Sequence, residues 1–164
     1  MWFFSLLVPM ILTAYPAWAS SSDGWTGLRN ERFGFRLEYP AGLFQADRTS
    51  QAGDGMVLVS RDGSARLLVG AFVNNARHSP ARYQEHLAQN SYATFQVTYA
   101  PRGVSWFALS GRGNGKIFYE KVMFSCSGRV IASFAMTYPI VSRHRFDPVV
   151  ERVENSFRPG DGCD

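Results

Sequence analysis

The sequence predicts an α+β fold: an antiparallel β-sheet of about six to seven strands flanked by two main helices. Three observations point there. Short apolar or alternating runs recur between turns rich in Gly and Pro, as strands require. Two longer segments instead space their apolar residues three and four apart, and each opens on a capping residue followed by proline, at Ser79-Pro80 and Asp147-Pro148. The strands on either side of the first helix are joined by short turns, which pair neighbours antiparallel.

The chain opens on a segment suited to export. Residues 1–22 carry no charged side chain, and Trp2-Phe3-Phe4, Leu6-Leu7-Val8 and Met10-Ile11-Leu12 form an apolar run. Ala17-Trp18-Ala19 then sets small residues at the two positions signal peptidase requires, so cleavage is expected between Ala19 and Ser20. An uncleaved anchor is the alternative, since a spanning helix needs about 20 apolar residues. Pro9 and Pro16 oppose it, because each removes a helical N–H and crowds the preceding turn. The mature chain from Ser20 to Asp164 is long enough to bury about 68–70% of its unfolded surface; residues 20–31 read as its flexible N-terminus and residues 32–164 as a single domain. Export sets aside nucleic acid as a partner, and after cleavage no membrane span is expected.

Along the mature chain, residues 32–39 alternate, with Phe33, Phe35, Leu37 and Tyr39 on one face and Arg32, Arg36 and Glu38 on the other. Pro40-Ala41-Gly42 ends that strand. Residues 56–60 and 65–73 are the next two, joined through Asp62-Gly63, a pair suited to positive φ at both turn positions. The helix from Ser79-Pro80 carries Tyr83, Leu87 and Asn90 on one face. Strands follow at 94–99, 104–110 and 116–125, the last two around a glycine-rich loop at 111–115, and a further strand at 129–138 stops at Pro139. The final helix takes Asp147 as its cap and buries a stripe of Phe146, Val149, Val150, Val153 and Phe157. Cys126 and Cys163 are the only cysteines, and an even count in an exported chain favours a bridge between them over two free thiols.

Phe33-Gly34-Phe35-Arg36-Leu37-Glu38-Tyr39-Pro40, Trp106-Phe107-Ala108-Leu109-Ser110-Gly111, Ile117-Phe118-Tyr119-Glu120-Lys121, Asp147-Pro148-Val149-Val150 and Ser156-Phe157-Arg158-Pro159 carry a resemblance. Together they resemble small exported proteins of alphaproteobacteria placed in the PsbP-like α/β/α sandwich superfamily. The likeness spans nearly the whole mature chain and rests on structural motifs: strand starts, a hairpin and a helix end. It implies a sheet between helices and a binding or accessory role, with no active residues to carry over.

Chemical motifs are few. Residues 111–116 suggest a phosphate-binding loop, but the pattern needs Gly where Ser110 stands and Ser or Thr where Ile117 stands. There is no G-x-S-x-G elbow, no S-x-x-K pair, no H-E-x-x-H and no Cys-x-x-Cys, so neither a metal site nor a cofactor is expected. His86 falls one turn from Tyr83 and Asn90 and is expected partly covered by the sheet. Paired carboxylates for glycoside hydrolysis would have to come from Glu151 and Glu154, which read as a solvated helix face, or from Glu120.

Charge offers a weaker lead. The chain carries +4, and all but Lys116 and Lys121 of its 17 basic residues are Arg. Arg143-His144-Arg145 precedes the expected start of the last helix, and Arg77-His78 precedes the first, with Arg82 in that helix. If both helix starts share one rim, they make a single patch for an anionic envelope ligand. The expected role is therefore a non-catalytic exported binding or accessory domain of the cell envelope, contacting an envelope protein or an anionic ligand. The alternative is a small secreted hydrolase whose Ser, His and carboxylate assemble only in space. Intact-mass analysis of the exported protein is expected to give a chain beginning at Ser20, and a mass retaining residues 1–19 would contradict cleavage.

Overall fold

A computed structural model describes residues 24–163. The expected signal segment, with Ala19 and Ser20 at its cleavage point, lies outside the described residues. The strands are β1 (Trp25–Arg29), β2 (Arg36–Pro40), β3 (Phe44–Thr49), β4 (Gly55–Ser60), β5 (Arg66–Val73), β6 (Gln96–Tyr99), β7 (Trp106–Gly113), β8 (Lys116–Ser125) and β9 (Val130–Pro139). The helices are α1 (Pro80–Asn90), between β5 and β6, and α2 (Arg143–Ser156), after β9.

Seven strands form one antiparallel sheet in the order β3-β4-β5-β9-β8-β7-β6. At its centre β8 and β9 pair over their whole length, from Lys116 opposite Pro139 to Ser125 opposite Val130. Alternation then assigns each side chain to a face. Val130, Ala132, Phe134, Met136 and Tyr138 of β9 join Phe146, Val150, Val153 and Phe157 of α2 in one cluster, which also takes in Phe33, Phe35 and Leu37. On the opposite face Phe107, Leu109, Phe118, Val122, Phe124 and Ile131 receive Leu87 from α1. The α+β expectation and the stripe on α2 hold. Among the described residues no helix is long and apolar enough to cross a membrane.

Several local expectations are corrected. Trp25–Arg29, placed in the flexible start, forms β1 and pairs with β2 in a separate two-stranded sheet. Its two apolar residues, Trp25 and Leu28, lie three apart, so alternation gave no sign of it. β3 is an edge strand with only Phe44 buried, and it too escaped the pattern. The two turn chemistries exchange places. Of Asp62-Gly63 only Gly63 has positive φ (72°), whereas Asn114 (51°) and Gly115 (72°) make a tight two-residue hairpin, with Gly111 and Gly113 inside β7.

The first helix begins as expected, with the Ser79 side chain accepting from Arg82 N and Pro80 in the first turn. Its buried side holds Gln84 and Leu87, while Asn90 and His86 are exposed. Gln84 Nε2 donates to the Ala100, Pro101 and Ala108 carbonyls, tying the helix to the segment between β6 and β7. The last helix starts one turn early, at Arg143, so Pro148 lies inside it and Asp147 is not its cap. The short 3-10 turn Ile140–Ser142 after Pro139 runs straight into the helix. Asp147 instead accepts from the Tyr138 hydroxyl (2.8 Å) and pins α2 to β9.

Cys126 and Cys163 are bonded, with α-carbons 5.6 Å apart, inside the usual bridging range of about 4.4–6.8 Å. Cys126 (φ 53°), Ser127 (57°) and Gly128 (84°) make the left-handed turn between β8 and β9. The bridge fastens the C-terminal tail to that turn, and the tail runs against residues 32–35, where a Cβ on Gly160 would collide with the Phe33 carbonyl. Replacing both Cys126 and Cys163 with Ser is expected to lower stability by about 2–4 kcal/mol, read from urea unfolding; an unchanged midpoint would contradict a stabilising bridge.

Candidate functional site

The two faces of the sheet are covered unequally. α2 and the β1–β2 pair close one face. α1 packs on β7 and reaches β5 through an edge contact of Tyr83 with Phe72 (5.9 Å between centroids), leaving much of the β4–β5 half of the other face open. There Leu68 and Phe72 point outward on β5, 43% and 41% exposed. The cross-strand rows below them are unusually low. One row runs Gly55, Gly70, Ser133, and the next runs Val57, Leu68, Ala135, Glu120. Gly55 must be glycine for a packing reason, since a Cβ there would sit 2.8 Å from the Val69 carbonyl oxygen, and a Cβ on Gly70 would be tight against the Asp54 carbonyl oxygen at 3.1 Å. Small residues on three adjacent strands therefore leave a trough of about 630 Å³ beside α1. Leu87, Ser91 and Tyr92 form the wall on the α1 side, and Arg48 lines the trough from β3.

Glu120 lies in that wall. Alternation along β8 turns it inward with Phe118 and Val122, and only 7% of it is exposed. Its carboxyl accepts from the Tyr92 hydroxyl (2.6 Å) and bonds with Ser133. Burial raises its pKa, and the two hydroxyl bonds oppose that shift without cancelling it. Among the described residues no basic side chain lies within ion-pair distance of it. Tyr92 is fixed in turn by a face-to-face stack on Phe118 (3.7 Å between centroids) and an edge contact with Phe95. Burial first, then the neighbouring Glu120 charge, pushes the Tyr92 hydroxyl far above the ordinary phenol range.

The basic residues singled out in the sequence are not brought together. Arg143, His144 and Arg145 form the exposed first turn of α2, by the Pro139 end of β9. Arg143 pairs with Asp147 (3.3 Å), and Arg145 with Asp62 (2.7 Å). Hydrogen bonds from Ser60 and Ser64, with a further one from Arg145, hold the Asp62 carboxyl far below its usual range. Arg77 and His78 sit at the Val130 end of β9, where Asn74 N donates to the Arg129 carbonyl and the Asn74 side chain grips both ends of His78's backbone. The His78 ring lies against Tyr83 and His86, at 5.5 and 5.8 Å. A strand of that length separates the two groups by about 30 Å, and they flank opposite faces of the sheet. One shared rim does not exist.

The carboxylates do not pair either. Glu154 bonds Lys121 (3.1 Å) on the α2 face, and Glu151 is exposed on that helix, while Glu120 faces the other way. The signal for Glu120 was present in the sequence. A lone acidic residue stands in register with Phe118, Val122 and Phe124, all of which a buried face would claim. What the sequence lacked was any sign that α1 stops short of the strands beside it.

No protein-family model and no curated protein matches the sequence. Solved structures do. The cyanobacterial PsbP (CyanoP) of Synechocystis sp. PCC 6803 superposes with a TM-score of 0.62 at 13% identity, over 90% of this chain and 98% of that one. The fold is PsbP-like. The Ran-binding protein Mog1p of Saccharomyces cerevisiae gives 0.60 at 9% identity, over 84% of this chain and 96% of its own. LpqN of Mycobacterium tuberculosis, involved in cell envelope biogenesis, gives 0.55 at 13% identity, over 83% and 90%. At such identities the PsbP-like likeness fixes architecture and nothing of function. The finer likeness to alphaproteobacterial exported proteins is not carried by these neighbours.

Glu120 supplies a pH test of the geometry. A carboxyl whose folded pKa is raised stabilises the fold fully below its ordinary value, about 4.5, and that stability is lost as pH rises through the folded value. Glu120→Gln removes this titration. The stability of the variant relative to the unsubstituted protein, measured by urea unfolding, is expected to grow from mildly acidic pH towards neutrality. A difference that ignores pH would contradict the buried-carboxyl geometry.

Proposed function

We propose that this chain is a non-catalytic exported binding domain of the cell envelope, and that it holds its ligand in the trough beside α1. The observation that carries the proposal is the uncovered half-face: an apolar floor with Leu68 and Phe72 open to solvent, walled by a helix end and one buried carboxyl. Small-molecule sites take this form, concave and mostly apolar with a few placed polar groups, in volumes of about 300–1,000 Å³. The apolar run before Ser20 and the Cys126–Cys163 bridge support export. A fold shared with an envelope-biogenesis protein fits an envelope role, and the motif likeness to exported alphaproteobacterial proteins agrees.

The hydrolase alternative needs a serine, a histidine and a carboxylate in mutual reach. Glu120 has a serine and a tyrosine, and no histidine lines the trough. His78, just ahead of α1, stacks with His86 of that helix, and His144 lies in the first turn of α2. An anion at Arg143 and Arg145 would have to compete with Asp147 and Asp62 for the same guanidinium groups. The trough carries no such competition for an apolar ligand.

The neutral apolar dye phenylnaphthylamine brightens on leaving water and serves as a probe. It is expected to bind the purified protein, to be displaced by an envelope lipid extract, and to bind Ala135→Phe at least about ten-fold more weakly, the worth of one or two buried methylene groups. Replacing both Arg143 and Arg145 with Ala should leave binding unchanged. Binding that ignores the Ala135 substitution and is lost with the two arginines would move the site to α2 and overturn the trough.

A further inference from the structure

The trough has a polarity that its apolar floor conceals. Glu120 closes one end of the row that runs through Ala135, Leu68 and Val57, successive cross-strand neighbours. With strands about 4.8 Å apart, Val57 stands about 14 Å from the carboxyl. An ionised carboxylate offers about four acceptor positions. The Tyr92 hydroxyl takes one and Ser133 another, and both partners are uncharged. Arg48 is the basic residue lining the trough, but it lies on β3, four strands from β8 and about 19 Å away. Asp54, the other acidic residue in the lining, adds negative charge to the same surface.

We propose that the trough binds a cationic amphiphile, whose primary ammonium group pairs with Glu120 while its hydrocarbon chain lies along Ala135, Leu68 and Val57. The inference rests on the reading of the trough as the binding site. Both halves of the ligand are specified by what faces them. A buried carboxylate lacking a cation is costly, and a cation delivered with its own apolar tail answers that cost while covering exposed Leu68. The ammonium donates three hydrogen bonds, and the open positions of the Glu120 carboxylate and the hydroxyl oxygen of Ser133 are acceptors within the same wall. A fatty acid would bring a second carboxylate to Glu120, and an alcohol would gain only the floor.

Binding is also linked to pH. In the free protein a proton competes for the Glu120 carboxylate. The groups that face it are Tyr92 and Tyr83 from the α1 side and Ser133 from β9, with Arg48 and Asp54 on the far strands. The tyrosines stay protonated near neutrality, since burial lifts both; Tyr83 reaches about 12. Affinity for an alkylammonium is therefore expected to rise with pH as Glu120 gives up its proton.

Calorimetric titration of the purified protein with decylamine, decanol and decanoate tests this. Decylamine is expected to bind at least about ten-fold more tightly than decanol, the scale of one charge-assisted hydrogen bond, and its advantage should widen from mildly acidic to mildly alkaline pH. Glu120→Gln should erase that advantage, bringing decylamine to within about two-fold of decanol. Should the variant fail to fold, the pH dependence of the unsubstituted protein decides by itself. Equal binding of amine and alcohol overturns the ammonium pairing and leaves the trough standing. Decanoate binding that strengthens as pH falls overturns it too, by making Glu120 a protonated donor. If none of the three binds or displaces phenylnaphthylamine, the trough reading itself fails.

Discussion

The pairing of β8 with β9 is the constraint on which the remaining structure depends. Ten consecutive residue pairs lock their register, and a slip of one residue would turn every side chain of the central strands to the wrong face. With the register set, Phe134 and Met136 meet α2 while Ile131 and Val122 meet the α1 layer. The hairpin also organises the ends of the chain. Its left-handed turn carries Cys126, the disulfide draws the tail onto the turn, and the tail lies against residues 32–35 ahead of β2. The β2 strand and α2 then share one cluster, so the bridge reaches the core by way of the tail.

From this platform the asymmetry of the faces follows by length and placement. α2 has 14 residues and is joined by β1 and β2 in closing one face. α1 has 11 residues and packs over β7. Beyond the Tyr83 ring against Phe72, α1 leaves Leu68 and the β4–β5 rows beside it open. A floor of Gly55, Gly70, Ser133 and Ala135 deepens that opening instead of filling it. Ionising Glu120 there is unfavourable, because desolvation of the carboxylate exceeds what its bonds with Tyr92 and Ser133 return.

Legibility in the sequence tracked how local each cause was. β8 was read with its bounds, 116–125, because apolar residues fill both faces of a central strand. Ser79-Pro80 marked α1 because capping chemistry is confined to one turn. The disulfide followed from count and compartment. β1 and β3 were missed because neither alternates; pairing partners far along the chain make them strands. Asp147-Pro148 misled because the same pair that can cap a helix can also sit inside one, when Tyr138 and Arg143 supply partners for the aspartate. The site was the least legible part. Glu120 was visible as a charged residue on a buried face, but the trough is set by where α1 ends relative to β4 and β5, which is a property of packing.

Glu120 is a buried carboxyl in the wall of an open trough, with no cation among the described residues in ion-pair reach. Its side-chain carboxyl carbon can be followed directly by NMR as pH is varied. The structure predicts a midpoint clearly above the ordinary glutamate value of about 4.5, moving downward when decylamine is added. A midpoint in the ordinary range, unmoved by the amine, would contradict both the burial and the use assigned to it.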